Sequence, residues 1–361
     1  MAKNKRIGIL TSGGDCAGLN AAIRAVVYAA TQKGWEVFGI EDGTAGLLSR
    51  PPRARALSRP MFDTTIMRLG GTILGTTNKG NPFKFPMPDG TFKDQSDEII
   101  EGLKLLDIDA LIGIGGDGSM DILRTLAERG KFNLVGIPKT MDNDVGKTEI
   151  SIGFETAAYV ATEALDRLQP TAASHDRVMV LEVMGRDAGH VALAAGIAGG
   201  ADVILLPEIP YDLEKVAQKI VSIRENEGRN FALVVVSEAV TTVEGDMLKV
   251  EHVGGEKRYG GIGHYLGERI AAKTGFETRV TVLGHVLRGS APIHSDRLVA
   301  AAFGVHAVEL VEKGKFNRMV AWSNRQVIDV AIEDAIASYQ AVDLDGALVR
   351  TARSLGICLG D

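Results

Sequence analysis

The stretch from Leu111 to Val145, LIGIGGDGSMDILRTLAERGKFNLVGIPKTMDNDV, most constrains how this chain can fold. It contains two apolar runs, Ala110–Ile114 and Asn133–Ile137, each ending in a polar turn. Runs this short, bounded by Gly and Pro, predict buried parallel strands. Met120–Arg129, between them, has the length and composition of a helix. The stretch is therefore a β-α-β unit. In open α/β sheets, ligands bind outside the carboxyl ends of the strands.

The first of those ends is Gly115-Gly116-Asp117-Gly118-Ser119. Glycines there let backbone N–H groups approach a phosphate, and the following helix turns its positive end toward the same point. A carboxylate in such a turn would repel a bare anion. Asp117 makes sense if it holds a Mg²⁺ that rides on the phosphates. The second end is Pro138-Lys139-Thr140-Met141-Asp142-Asn143-Asp144. It places a cation, a hydroxyl and two carboxylates close together. Phosphoryl transfer needs charge neutralisation, a metal and a carboxylate to take a hydroxyl proton.

The rest of the chain repeats the strand–turn–helix theme. Arg6–Leu10 predicts a strand that runs into Thr11-Ser12-Gly13-Gly14-Asp15-Cys16-Ala17-Gly18-Leu19-Asn20 and the helical stretch Ala21–Gln32. GGDCAG does not fit the G-x-G-x-x-G dinucleotide fingerprint, which counts against a nicotinamide enzyme. Glu36–Ile40 predicts a second strand. Asp42–Arg59 reads as loop, and Arg50, Arg53, Arg55 and Arg59 are either a solvated face, which is the expectation, or an anion site. Met61–Leu69 reads as a short helix, and Gly70–Gly80 is again Gly-rich. Further helices are expected at Glu155–Gln169, Val191–Gly199, Leu213–Arg224, Tyr259–Lys273 and Ser295–Glu312. Strands are expected at Val178–Val183, Asp202–Leu206, Phe231–Val236, Thr278–Leu283 and Arg318–Trp322.

A length of 361 residues suggests two domains, and 43 glycines suit an architecture with many tight βα turns. The net charge of −6 implies no general attraction to nucleic acid or membrane, so an anionic ligand would need local basic clusters. The two cysteines, Cys16 and Cys358, suggest a reducing compartment without a disulfide framework. The basic start MAKNKRIGIL has too short an apolar run for a signal peptide, and no run approaches membrane-spanning length. A cytoplasmic location is expected.

GGDGS followed by PKTMDND resembles the phosphofructokinase family, which phosphorylates fructose 6-phosphate on its 1-hydroxyl. TSGGDCAGLNAAIR, GGTILG, MGRDAGH and LGHVLRG extend the resemblance over essentially the whole chain. It implies two Rossmann-like three-layer α/β/α lobes with the active site in the cleft between them. The donor-binding lobe would be 1–153 plus about 287–338. The fructose-6-phosphate lobe would be 154–286 plus about 339–361.

By the same resemblance, Gly14, Asn78, Lys79, Gly116, Asp117, Gly118 and Ser119 bind the donor, with Asp117 on Mg²⁺. Many members have Arg where this chain has Asn78, so Lys79, Lys139 or both are expected to supply the missing charge. Thr140, Met141, Asp142, Met184, Gly185, Arg186, Glu238, His285, Val286, Leu287 and Arg288 are expected at the sugar phosphate. Asp142 would be the general base. Thr140 and Arg186 would hold the transferring group with help from Lys139, and Asp144 would orient a water on the metal or the base loop. Arginines matching Arg177 and Arg279 reach a neighbouring chain's site in the family, which implies a homo-oligomer, with a tetramer expected.

The donor signals conflict. Gly118 leaves room for a nucleoside where pyrophosphate enzymes have Asp, whereas Lys139 resembles those enzymes. A steric block excludes a ligand while an added cation merely attracts either donor, so ATP is the expected donor. A pyrophosphate-dependent enzyme and a non-catalytic sugar-phosphate sensor are the other readings. At the family's bacterial effector site, Arg24, Arg229 and Asp202 match in charge. Tyr28, Gln169 and Glu227 stand where basic residues are usual, so a weak response to the usual effectors is expected.

Overall fold

The structure is a computed structural model and describes residues 5–78, 80–87, 89–251 and 257–361. The fold is mixed α/β, and the chain groups into two compact units. One comprises Met1–Thr156 with Arg288–Tyr339, the other Ala157–Leu287 with Gln340–Asp361.

The first unit is built on an eight-stranded sheet. Its order is Gln326–Ala331, Arg318–Ser323, Leu134–Thr140, Ala110–Gly115, Arg6–Thr11, Glu36–Ile40 and Ala54–Leu57, with Ile152–Gly153 pairing off Leu134–Thr140. The central pairings are parallel, and only the two outer strands, Gln326–Ala331 and Ala54–Leu57, run antiparallel to their neighbours. Alternate residues face opposite sides, as strand geometry requires. Ile7, Ile9, Ile112, Ile114, Val135 and Ile137 meet the helices Leu19–Gln32 and His294–Glu312 in one core. Leu10, Leu111 and Leu134 face the other side with Ile99, Leu103, Leu123 and Leu126 from the helices Ser96–Leu105 and Asp117–Gly130. Glycines let that second layer approach closely. A Cβ on Gly113 would lie 2.4 Å from Leu123 Cδ1, and one on Gly136 would lie 2.7 Å from Met120 Sδ.

The second unit carries a four-stranded parallel sheet, ordered Val203–Leu205, Ala232–Ser237, Val178–Val183, Thr278–Val282. Val178, Val180, Val234 and Val236 pack against Val216, Ile220, Leu266 and Ile270 of the helices Leu213–Asn226 and Ile262–Thr274. Thr278–Val282 is an edge strand with part-exposed residues throughout.

Several boundaries differ from the expectations. The first β-α-β helix begins at Asp117, not Met120, so Asp117, Gly118 and Ser119 form its first turn. The next strand runs on to Thr140 because Ile152 and Gly153 return to pair with Lys139 and Thr140. Met61–Leu69 is no α-helix but holds parts of two 3-10 turns, Arg59–Met61 and Ile66–Arg68. The Asp42–Arg59 stretch is more ordered than a loop, with a 3-10 helix at Gly43–Leu48 and the strand Ala54–Leu57. The helix expected from Tyr259 starts at Ile262, because Gly260 and Gly261 take positive φ and Tyr259 ends a short strand. Among the described residues, no helix is long and apolar enough to cross a membrane.

Candidate active site

In the first unit, three neighbouring parallel strands end together: Arg6–Thr11, Ala110–Gly115 and Leu134–Thr140. The first runs into Ser12-Gly13-Gly14-Asp15. Gly13 has φ 83°, its N–H donates to Thr77 O at 2.9 Å, and its carbonyl accepts from Thr76 Oγ1 at 2.7 Å. The two Gly-rich stretches are thus stitched together. Lys139 is buried to 4 % exposure, and its Nζ donates to the Gly14 carbonyl. Asn78 is exposed beside them, and Lys79 lies outside the described residues.

The second strand end leads through Gly116, the N-cap, into the Asp117–Gly130 helix. Gly116 is extended and, like any Gly, has no side chain to cap the first N–H groups. An uncapped helix N-terminus is an anion site with partial positive charge. Asp117 and Ser119 are half-buried there and Gly118 is exposed. A Cβ on Gly118 would meet nothing within 4 Å, so the space beside it is open. A Cβ on Gly13 would lie 3.0 Å from Ser119 Oγ, so the serine sits against the first loop.

At the third strand end, Thr140 and Asp142 are both buried. Thr140 Oγ1 donates to Asp142 Oδ2 at 3.2 Å and accepts from the Asp142 N–H at 3.1 Å. Asp144 is buried two residues on. Met141, between Thr140 and Asp142, is fully buried at 0 % exposure.

In the second unit, Val178–Val183, Ala232–Ser237 and Thr278–Val282 end at one edge of their sheet. Met184, Gly185 and Arg186 follow the first, with Arg186 exposed at φ 50°. Glu238 follows the second. Its Oε1 accepts from the N–H of Gly185 at 3.3 Å and of Arg186 at 3.1 Å, which fixes the Arg186 turn. The third leads into the 3-10 turn Gly284–Leu287, where His285 and Val286 are exposed while Leu287 is buried. Tyr259 Oη donates to Asp187 Oδ1 at 2.6 Å, and that bond pushes the phenol up to about 12. Arg177 Nε lies 2.9 Å from Glu277 Oε2, and the exposed Arg279 pairs with the same carboxylate.

Arg288 follows the Gly284–Leu287 turn in sequence. It belongs to the first unit, and its Nη1 donates to the Asp15 carbonyl at 2.9 Å. Its guanidinium lies against Gly14, where a Cβ would come within 2.9 Å of Nη1. The sequence could not show this, because the partners are 273 residues apart. The reading from sequence also missed Asp296. This carboxylate is buried at 0 % exposure and accepts from the Gly153 N–H and the Thr156 N–H, both at 2.8 Å. Burial raises its pKa, and those bonds oppose the shift. Its only signal in sequence is an acid in the first turn of a largely apolar helix.

Open parallel sheets with a glycine loop feeding a helix N-terminus define a nucleotide- and phosphate-handling α/β protein. A family model described as Phosphofructokinase matches residues 6–311, and the chain belongs to the phosphofructokinase family. It is 64% identical over 362 residues to ATP-dependent 6-phosphofructokinase 1 of Synechocystis sp., covering 100% of both chains. It is 62% identical over 361 residues to the protein of the same name from Nostoc sp., again covering 100% of both. Among solved structures, Pichia pastoris phosphofructokinase in the T-state matches with a TM-score of 0.80 and 28% identity, over 93% of this chain and 36% of that one. This chain therefore spans about a third of the yeast chain. A pyrophosphate-dependent phosphofructokinase from Nitrosospira multiformis matches with a TM-score of 0.79 over 99% of this chain and 93% of that one. At 23% identity it speaks to the fold alone.

Proposed function

We propose that this chain is an ATP-dependent 6-phosphofructokinase, which transfers the γ-phosphoryl group of ATP to the 1-hydroxyl of fructose 6-phosphate in glycolysis. The observation that carries this reading is full-length identity of 64% and 62% to relatives named for that activity. The open space at Gly118 supports a nucleoside-bearing donor over pyrophosphate.

The first unit supplies the donor half of the chemistry and the second the sugar-phosphate half. The Gly13–Gly14 turn, Ser119 and the uncapped first turn at Asp117 hold the donor phosphates. Buried Lys139 and half-buried Arg288 both bond to carbonyls of that turn, so their charges stand beside it. Asp117 offers Mg²⁺ one carboxylate, and Mg²⁺ commonly binds through one or two carboxylates plus substrate phosphates. The donor set thus fits a metal that arrives with ATP. When bound, Mg²⁺ neutralises phosphate charge.

Asp142 takes the proton from the 1-hydroxyl as that oxygen bonds to the γ-phosphorus and the bond to ADP breaks. Thr140 locks the carboxylate by donating to Oδ2 and accepting from the Asp142 N–H, so little reorientation remains at the moment of transfer. A base of this kind contributes roughly 10²–10⁴ in rate. A pure sensor would gain nothing from a carboxylate so held. Arg186, presented by the Glu238-fixed turn, steadies the transferring group. Met184, Gly185, Glu238, His285, Val286 and the Leu287 backbone hold the sugar phosphate. Arg177 and Arg279 serve the site of a neighbouring copy in a homotetramer. A cytoplasmic location suits the two free cysteines.

The test is formation of fructose 1,6-bisphosphate from fructose 6-phosphate and ATP with Mg²⁺. Purified chain that releases no ADP under those conditions would refute the reading.

A further inference from the structure

We infer that Asn143 is a positioning residue for Asp142, acting as a two-pronged brace across the loop that carries the base. This rests on the functional reading above. The loop leaves the sheet after Thr140 and returns at Ile152, where Ile152 and Gly153 pair with Lys139 and Thr140. Its neck is therefore closed by a β-pairing, and the Asn143 side chain ties its two arms together. Asn143 Nδ2 donates to the Glu149 carbonyl at 3.1 Å, and Asn143 Oδ1 accepts from the Ser151 N–H at 2.9 Å. Both bonds cross the loop to the segment that leads into the returning strand. The far end of the loop is anchored as well. The Glu149 N–H donates to the Trp322 carbonyl and the Trp322 N–H to Thr148 Oγ1, each at 2.9 Å.

Asn143 sits between the two acids, with φ 55° and 5 % exposure. Left-handed backbone is disfavoured for most residues, and Gly, Asn and Asp tolerate it best. Gly would satisfy the backbone here, yet it would leave the Glu149 carbonyl and the Ser151 N–H without this partner inside a buried loop. Asn satisfies both demands at once. Thr140 bonds the Asp142 carboxylate from the strand side, and Asn143 pins the backbone immediately after it from the loop side. Misplacement of a catalytic group by about 1 Å can cost on the order of 10²-fold in rate.

The experiment uses the full chain. Asn143→Gly keeps the backbone conformation and removes both prongs. The expected result is a kcat lowered about tenfold to a hundredfold, with KM for fructose 6-phosphate and for ATP each within about threefold of wild type. Hydrogen–deuterium exchange of the segment carrying Ser151 should quicken in the same variant while the Leu134–Thr140 strand stays protected. Asn143→Asp also tolerates the left-handed backbone and retains an acceptor for Ser151 but loses the Nδ2 donor. It should lower kcat in the same selective way, and it serves if the Gly variant does not fold. An active wild type with an equally active Asn143→Gly would overturn the proposal. So would a loss in which both KM values rise in step with the fall in kcat, which would make Asn143 a general structural residue. Failure of the functional reading looks different: the wild type itself would make no fructose 1,6-bisphosphate.

Discussion

Thr140 and Asp142 hold each other in a closed two-bond motif: the threonine hydroxyl donates to the carboxylate and accepts from the aspartate's own N–H. Buried carboxylates are costly unless bonded, so a pair placed at a strand end between glycine loops argues for chemistry over packing. Asp142→Ser should lower kcat by roughly 10²–10⁴ and leave KM for fructose 6-phosphate within a few-fold. Steady-state kinetics decide this, and a kcat near wild type would remove Asp142 from its role.

Arg279 tests whether sites are shared between copies. It is exposed and pairs with Glu277, as does Arg177. An exposed pair is worth only about 0.2–1 kcal/mol, whereas a charged hydrogen bond to phosphate contributes about 1.5–3 kcal/mol. A phosphate brought to Arg279 would therefore outcompete Glu277. Arg279→Ala should raise KM for fructose 6-phosphate about tenfold or more with little change in KM for ATP. Mixed oligomers of Arg279→Ala with Asp142→Ser should regain some activity, and verified mixtures with none would argue against shared sites.

How far the sequence revealed this molecule depends on where each partner sits. The apolar runs Ala110–Ile114 and Asn133–Ile137 made the parallel sheet legible, because burial on both faces leaves no polar alternation. The helix start at Asp117 was not legible, since Gly-Asp-Gly-Ser has the composition of a turn and the first helical turn tolerates the same residues. The extension of the strand to Thr140 depends on Ile152–Gly153, a partner brought back by the loop itself. Arg288 on the Asp15 carbonyl is equally non-local. The roles given to Arg186, Glu238 and His285 came from the family resemblance, because a lone Arg, Glu or His after a strand carries no chemistry by spacing.

Regulation should be atypical. In the first unit, Arg24 stacks on Tyr28 at 4.2 Å and Arg59 approaches the same ring at 4.9 Å. Arg59 thus brings back one charge from the Arg50–Arg59 cluster, while Arg50, Arg53 and Arg55 are engaged with Glu101, Asp42 and Glu41. In the second unit, Arg229 is engaged by Asp202 and lies 3.6 Å from Glu227. Cations already paired in this way offer less to a di- or trianion. Phosphoenolpyruvate and ADP, titrated to millimolar levels at sub-saturating fructose 6-phosphate, should change the rate little. Strong sigmoidal inhibition relieved by ADP would contradict this.

Cys16 should be inert despite its place in the first Gly-rich turn. Burial pushes its thiol up to about 12, and its Sγ donates to the Ile152 carbonyl at 3.2 Å. With the folded pKa raised, thiolate is scarce at pH 8 and grows only in strong alkali. A disulfide reagent at pH 8 should leave Cys16 unmodified in the native chain and label it readily in urea. Rapid native labelling mapped to Cys16 would contradict its burial.

The central claim is the donor, and it is tested most directly by assaying ATP and pyrophosphate side by side. Each is supplied at saturation with Mg²⁺ and fructose 6-phosphate, and fructose 1,6-bisphosphate is measured. The open space at Gly118 and the relatives' shared name lead to product with ATP and far less with pyrophosphate. A rate with pyrophosphate that matches or exceeds the rate with ATP would contradict the account.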